Sequence, residues 1–193
     1  MIAIENTVSV ILCAGLSRRF GSADKLLHPW RGMPLVQHAA GAIAALPFLA
    51  KIAVVPTGAT RLHMLLIDLG FAVEQNDKPE VGQDRSLRIG IRRAITFDPD
   101  AVLVSLGDMP LVTAKHLAAL LAAADPDRPA MSTEESVRSP PCGFPRQEAA
   151  RLAEAESLRG RDVLKSASDL AVVKAPSGTL ADFDTLADFE SSS

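Results

Sequence analysis

Short apolar runs of strand length alternate with amphipathic stretches of helical period along almost the whole chain. That alternation limits the fold more than any other feature of the sequence. VSVIL at 8–12, KIAVVP at 51–56, FAVEQ at 71–75, AVLVSL at 101–106 and LAVVKA at 170–175 are the strand candidates, with AVLVSL the strongest, and RPAMST at 128–133 is a further one. Pro34 stands where a first-turn proline opens a helix; Leu35, Ala39, Ile43 and Leu46 form its inward stripe, and Pro47 ends it. Leu62, Leu65, Leu66 and Leu69 recur at helical spacing and stop at Gly70. Leu87, Ile91, Ala94 and Ile95 mark another helix, and Thr113 caps one that turns Leu117, Leu120, Leu121 and Ala124 inward. Helical patterning returns at 147–156, 161–168 and 185–190, whereas 134–145, with three prolines and a glycine, is expected to be a loop or an edge insertion. Strands alternating with helices imply βαβ units. The expected class is therefore α/β, a single domain over 1–193 built on one doubly wound, mostly parallel sheet, with flexible ends at 1–7 and 191–193.

Composition supports a globular reading. Of 193 residues 48% are hydrophobic and 22% charged, and with aromatics at 4% and no Tyr the core must be built from Leu, Ile, Val and Ala. A net charge of -3 argues against general nucleic-acid binding. No apolar run approaches the ~20 residues that span a bilayer. The opening MIAIENTVSVILCAG lacks the basic region and cleavage pattern of a signal peptide. Cys13 and Cys142 are far apart and show neither CxxC nor zinc spacing, so a reducing cytoplasm is expected rather than a disulfide. His38, His63 and His116 fall in helix patterns, where surface or half-buried positions are expected; His28 has no evident partner.

In doubly wound sheets ligands sit beyond the carboxyl ends of the strands. The segment ILCAGLSRRFGSADKLL at 11–27 begins at such a place. Ala14 and Gly15 are small enough for backbone amides to approach an anion closely, and Arg18, Arg19 and Lys25 add positive charge: the parts of a polyphosphate cradle. Neither GxxxxGK[ST] nor GxGxxG is present, and on spacing alone a strand-to-helix turn with solvated arginines explains the segment as well. GQDRSLRIGI at 82–91 opens a helix where Ser86 can donate a hydroxyl hydrogen; a capped amphipathic helix with surface arginines is the plainer account. In SLGDMPLV at 105–112, Asp108 stands at the end of the strongest strand, as a Mg²⁺ ligand facing phosphates would or as a turn aspartate would. Asp182 and Asp184 in ADFDTLAD at 181–188 would face the same way in an extended chain; an exposed acidic tail is the alternative.

In this order, the segments resemble those of the small nucleotidyltransferases that act on molybdopterin. The resemblance places Leu12, Cys13, Ala14, Gly15, Ser17, Arg18 and Gly21 in a loop around the nucleotide phosphates, with Arg19 and Lys25 as the motif's catalytic cations. It puts Gly82, Ser86 and Leu87 beside the nucleotide, and makes Asp108 the metal ligand, joined by Asp184 or alternatively Asp182. It implies a Rossmann-like nucleotidyltransferase fold and Mg²⁺ as cofactor. The implied reaction moves CMP from CTP to the phosphate of molybdopterin and releases pyrophosphate. CTP is favoured because Cys13-Ala14 is nearer to the Ala-Ala that goes with cytosine than to the Gly-Gly that goes with guanine. A guanylyltransferase, or a sugar- or polyol-phosphate nucleotidyltransferase, is the neighbouring reading. A non-catalytic nucleotide binder delivering cofactor to a molybdenum hydroxylase belongs to another class, and transient contact with such a hydroxylase is implied in either case. The match thins over 134–165, where Pro141, Gly143, Phe144 and Gly160 agree with the family but Leu158 stands near the place of an expected aspartate; Leu186 replaces a usual proline.

Overall fold

A computed structural model describes residues 2–15, 20 and 24–191. Strand β1 (Thr7–Leu12) is followed by a small hairpin of β2 (Pro29–Trp30) and β3 (Met33–Pro34), then α1 (Leu35–Ala44), β4 (Ala50–Pro56), α2 (Thr60–Asp68) and β5 (Ala72–Asn76). Next come α3 (Gln83–Ile95), β6 (Ala101–Leu106), α4 (Ala114–Ala123), β7 (Ala130–Glu134) and β8 (Val137–Pro145). Helices α5 (Arg146–Glu154) and α6 (Gly160–Ser166), strand β9 (Ala171–Lys174) and α7 (Leu186–Ser191) complete the order. Pro34 caps α1 from just outside its first turn.

The seven-stranded sheet runs β5-β4-β1-β6-β8-β7-β9. Strands β5, β4, β1 and β6 are mutually parallel, β7 and β9 are parallel to each other, and β8 runs against both its neighbours. The α/β class with a mostly parallel sheet is thus as expected. The chain leaves β1 toward β4 and later returns to β6 on its other side, so strand order reverses between β1 and β6, where doubly wound folds open a crevice. Both faces are covered. Side chains alternate along β1: Ile11 and Cys13 join the core under α1, α2 and α4, whereas Val8, Val10 and Leu12 join the core under α3, α5 and α6. Cys13 and Cys142 are therefore on opposite faces, and both are free. The segment 1–7 includes Ile2, packed into the core, and Thr7 of β1. Among the described residues no helix is long and apolar enough to cross a membrane.

The expected loop or edge insertion at 134–145 is instead the turn into β8 and β8 itself, in the interior of the sheet. Its prolines are what misleads, because proline cannot donate to a ladder. The chain absorbs two of them at a bulge, and the third, Pro145, ends the strand opposite Ala101. Met131 pairs with Cys142 but Ser132 pairs with Ser139, so Pro140 and Pro141, joined by a cis peptide, fall in the shifted stretch. The neighbouring carbonyl of Pro141 accepts the Ser132 hydroxyl at 2.8 Å, and Ser132 Oγ in turn accepts Nε2–H of His116 at 2.8 Å. His116 is therefore buried, not at the surface, and its burial pushes its pKa down.

Candidate active site

Four segments far apart in sequence meet at the carboxyl end of the sheet. Leaving β1, the backbone of Cys13 donates to Val54 O at 2.8 Å, which carries the chain past the sheet end to Ala14 and Gly15. Gly107, just beyond β6, is a glycine for a steric reason: a Cβ there would lie 2.7 Å from Cys13 Sγ. The Cys13 thiol is pushed up by burial and by the Asp108 and Asp24 carboxylates, so it serves as small apolar filling and not as a nucleophile.

Lys25 opens a one-turn 3-10 helix, Lys25–Leu27, which Asp24 caps by accepting Leu26 N–H at 3.0 Å. Buried Leu26 anchors the turn and aims Lys25 inward. Its Nζ lies 2.8 Å from Asp108 Oδ2 and 2.8 Å from Asp184 Oδ1, with the lysine side chain 7% exposed and the carboxylates 24% and 27%. Burial alone would drive the ammonium's pKa down. The charge and hydrogen bond of Asp108, then those of Asp184, outweigh it and hold Lys25 above its ordinary value and charged.

Asp184 is brought here by tertiary packing. Phe183 N donates to Asp108 O at 3.0 Å, laying the C-terminal segment along the Asp108 loop. Phe183 is buried edge-on against Trp30 and packs on Phe189, which also meets Phe20 and His28. His28 thus finds ring partners that the sequence did not suggest. Asp188 accepts the N–H groups of Asp184 and Thr185 at 2.8 and 2.6 Å and the Thr185 hydroxyl at 3.0 Å, which secures the start of α7 and depresses its own pKa. Leu186 is the first residue of α7, a position that accepts proline or leucine alike, so the departure from the family pattern leaves the local fold intact.

The opposite wall comes from α3. Gly82 has φ +114°, outside the range comfortable for other residues, and starts the helix. Ser86 Oγ accepts Asn76 Nδ2–H at 2.9 Å, which leaves the Ser86 hydrogen to donate into the cleft. Asn76 also accepts from Lys78 N and Arg85 Nε at 3.0 Å each. This buried asparagine ends β5, and nothing in its local sequence marks it as the hub of the wall. Gly90, within SLRIG, has a packing role: a Cβ would lie 2.4 Å from Val10 Cγ1.

These walls enclose a cleft of about 400 Å³ reached by Leu12, Cys13, Ala14, Gly15, Lys25, Gly82, Ser86, Asp108 and Asp182. Asp184 meets Lys25 behind it, whereas Asp182 lies on its exposed rim. Leu87 faces a second, adjoining hollow rather than this cleft. Ser17, Arg18, Arg19 and Gly21 lie outside the described residues. Among the described residues no group of three or more His, Cys, Asp or Glu gathers as a metal site. The Asp108–Asp184 pair instead offers hard oxygen donors that already share one cation, a donor set suited to Mg²⁺, which takes one or two carboxylates and completes its shell with phosphates and water.

A family model described as the MobA-like NTP transferase domain matches residues 9–171. The Bifunctional protein GlmU of Rhizorhabdus wittichii is 32% identical over 114 residues, 58% of this chain and 25% of that protein. The chain spans about a quarter of the length of the curated relatives it matches. A nucleotidyl transferase from Methanothermobacter thermautotroptrophicus superposes with a TM-score of 0.81 at 20% identity, covering 96% of this chain and 94% of that one. Rv0371C from Mycobacterium tuberculosis H37Rv, solved as a complex with manganese, superposes at 0.72 with 18% identity and 96% coverage of each chain. At these identities the two structures speak for the fold alone.

Proposed function

The chain belongs to the MobA-like NTP transferase family, and from that premise we propose that it is a nucleotidyltransferase that moves CMP from CTP to the phosphate of molybdopterin. The observation that carries the site is the placement of Lys25 between Asp108 and Asp184 at the back of a cleft lined by Ala14, Gly15, Gly82 and Ser86. The cytosine preference rests on Cys13-Ala14, both small and buried where the first motif meets the cleft.

In this reading the triphosphate lies over the amides of Ala14 and Gly15. Lys25, together with Arg19, neutralises charge on the transferring and leaving phosphates. Asp108 and Asp184 would hold Mg²⁺, which when bound supplies Lewis-acid charge stabilisation at the phosphoryl oxygens. The Ser86 hydroxyl donates to the base or ribose on the opposite wall. An oxygen of the acceptor phosphate attacks the α-phosphorus, the bond from that phosphorus to the bridging oxygen breaks, and pyrophosphate leaves with the electron pair. The acceptor is already ionised, so no side chain has to remove a proton. The protein's work is placement and charge.

The test is pyrophosphate release from a panel of CTP, GTP, ATP and UTP, each with Mg²⁺ and molybdopterin. CTP is expected to support turnover at least about tenfold above the others. Turnover with GTP alone would reassign the base, and tight nucleotide binding without pyrophosphate would replace the enzyme with a cofactor-delivery protein.

A further inference from the structure

Asp184 is held in the site by more than its own carboxylate. Three consecutive amides of the segment that carries it are tied down. Phe183 N–H donates to Asp108 O at 3.0 Å. Asp184 N–H and Thr185 N–H both donate to Asp188 Oδ2, at 2.8 and 2.6 Å. The Thr185 hydroxyl donates to that same oxygen at 3.0 Å. The backbone is therefore fixed on both sides of Asp184, and its side-chain torsions alone are left to place Oδ1 at 2.8 Å from Lys25 Nζ. Asp182 precedes these anchors and stays on the exposed rim.

Asp188 stands three residues beyond Thr185, the spacing at which a polar residue in a helix's first turn reaches back to the N–H of the capping residue. Here it reaches one residue further. α7 spans Leu186–Ser191, so a cap needs the bond to Thr185 alone, and the bond to Asp184 goes to a residue of the site. Three donors fill Asp188 Oδ2, so this oxygen acts on the cleft through Asp184.

We propose that Asp188 is a positioning residue for nucleotidyl transfer: by holding the Asp184 and Thr185 amides it sets the Asp184 carboxylate where Lys25 and a divalent ion meet it. The inference rests on the nucleotidyltransferase reading above and adds a residue that acts one step behind the metal ligands. Without Asp188 the two amides turn to solvent, the Asp184 backbone is free to rotate, and its carboxylate must be ordered again at each binding event. Removing a group that orients a metal ligand costs about 10–100-fold in metal affinity.

The test uses the full chain and three substitutions. Asp188→Ala removes the acceptor. Asp188→Glu restores one on a longer stem, with the acidic residue that such caps favour. Ala187→Gly, at an exposed position, weakens α7 through helix propensity alone. Mn²⁺ by itself is titrated by electron paramagnetic resonance. Its affinity should fall about tenfold or more in Asp188→Ala and stay within about threefold of wild type in the other two. In metal-free buffer, urea unfolding measures the coupling between Lys25→Met and Asp184→Asn. In the Asp188→Ala background that coupling should drop below about half its value in the wild-type background. In the pyrophosphate assay the Mg²⁺ concentration for half-maximal turnover should rise about tenfold in Asp188→Ala, with the CTP KM at saturating Mg²⁺ changed less than about twofold. Circular dichroism establishes that each variant folds; should Asp188→Ala not fold, Asp188→Asn, which keeps the shape and loses the charge, takes its place in the same comparisons. Equal Mn²⁺ affinity in Asp188→Ala and Ala187→Gly, or an undiminished coupling between Lys25 and Asp184, reduces Asp188 to a helix cap and overturns the inference. Neither of these measurements needs nucleotide. An absence of pyrophosphate from the wild-type protein would overturn the transfer reading, and they would still decide whether Asp188 holds Asp184 in place.

Discussion

Lys25→Met removes the cation shared by Asp108 and Asp184 while keeping a stem of similar length. In the wild-type protein Nζ makes two bonds of 2.8 Å to carboxylates that are only 24% and 27% exposed. Hydrogen bonds to charged groups contribute about 1.5–3 kcal/mol each. Solvent reaches a quarter of each carboxylate, so the lower end applies. A divalent ion entering before the nucleotide must displace this ammonium from the same oxygens. Vacating the position should therefore tighten nucleotide-free Mn²⁺ binding about tenfold, the equivalent of 1.4 kcal/mol. In metal-free buffer the variant takes the Lys25 ammonium away from two facing carboxylates, at a cost of about 1–3 kcal/mol in stability. Mn²⁺ at a hundred times its Kd should restore about 2.7 kcal/mol. Turnover should nevertheless fall about a hundredfold or more, because the lysine no longer meets the triphosphate. Electron paramagnetic resonance of free Mn²⁺, thermal melts with and without Mn²⁺, and pyrophosphate release read the three effects. Should Lys25→Met bind Mn²⁺ no better than wild type and melt at the same temperature in its presence, the shared-cation account of the site is wrong.

The two carboxylates should be separable from their neighbour: Asp108→Asn and Asp184→Asn should each lower turnover about 10²–10³-fold, whereas Asp182→Asn, on the exposed rim, should lower it less than about tenfold. Equal effects at 182 and 184 in the same assay would contradict the geometry. Gly107→Ala should destabilise by about 1–3 kcal/mol through overpacking, because its Cβ meets Cys13 Sγ at 2.7 Å. Cys13→Ala added to it should recover most of that loss, a non-additivity measured by urea unfolding of the four-protein cycle. His116 is held below its ordinary pKa by burial, so in the window between its folded and unfolded values the unfolded chain binds more protons and stability rises with pH. The full contribution is present above about 6.5, the ordinary histidine value, and is lost as pH falls through the folded pKa. Unfolding free energies at pH 5 and pH 7.5 should converge in His116→Gln relative to wild type.

The parallel half of the molecule was legible in the sequence because it depends on local periodicity. VSVIL and AVLVSL are buried on both faces and read as continuous apolar runs, and the helices between them carry one apolar stripe each. Lys25 and Asp108 each follow a strand at the sheet's carboxyl end, which made them candidates, but it was the resemblance to the nucleotidyltransferase motifs that singled them out. Strand β8 was not legible, because its prolines signal a break, and only a bulge at Pro140 and Pro141 and the terminal place of Pro145 make them compatible with an interior strand. The choice between Asp182 and Asp184 was hidden too. An extended segment treats residues two apart as equivalent, and only the hydrogen bond from Phe183 N to Asp108 O, with the aromatic cluster behind it, separates them. The roles of Asn76 and His116 were invisible for the related reason that their partners lie on other elements.

Periodicity and residue chemistry, which act over a few neighbours along the chain, determined the α/β class and directed attention to the carboxyl end of the sheet, whereas Lys25 and Asp108 were singled out there by the family resemblance. The tertiary structure alone decided that Asp184 shares the Lys25 ammonium with Asp108 and that His116 is buried against Ser132. Those distances join segments as far apart as the 159 positions between Lys25 and Asp184, and they are set by packing and hydrogen bonding between elements, about which a local pattern carries no information.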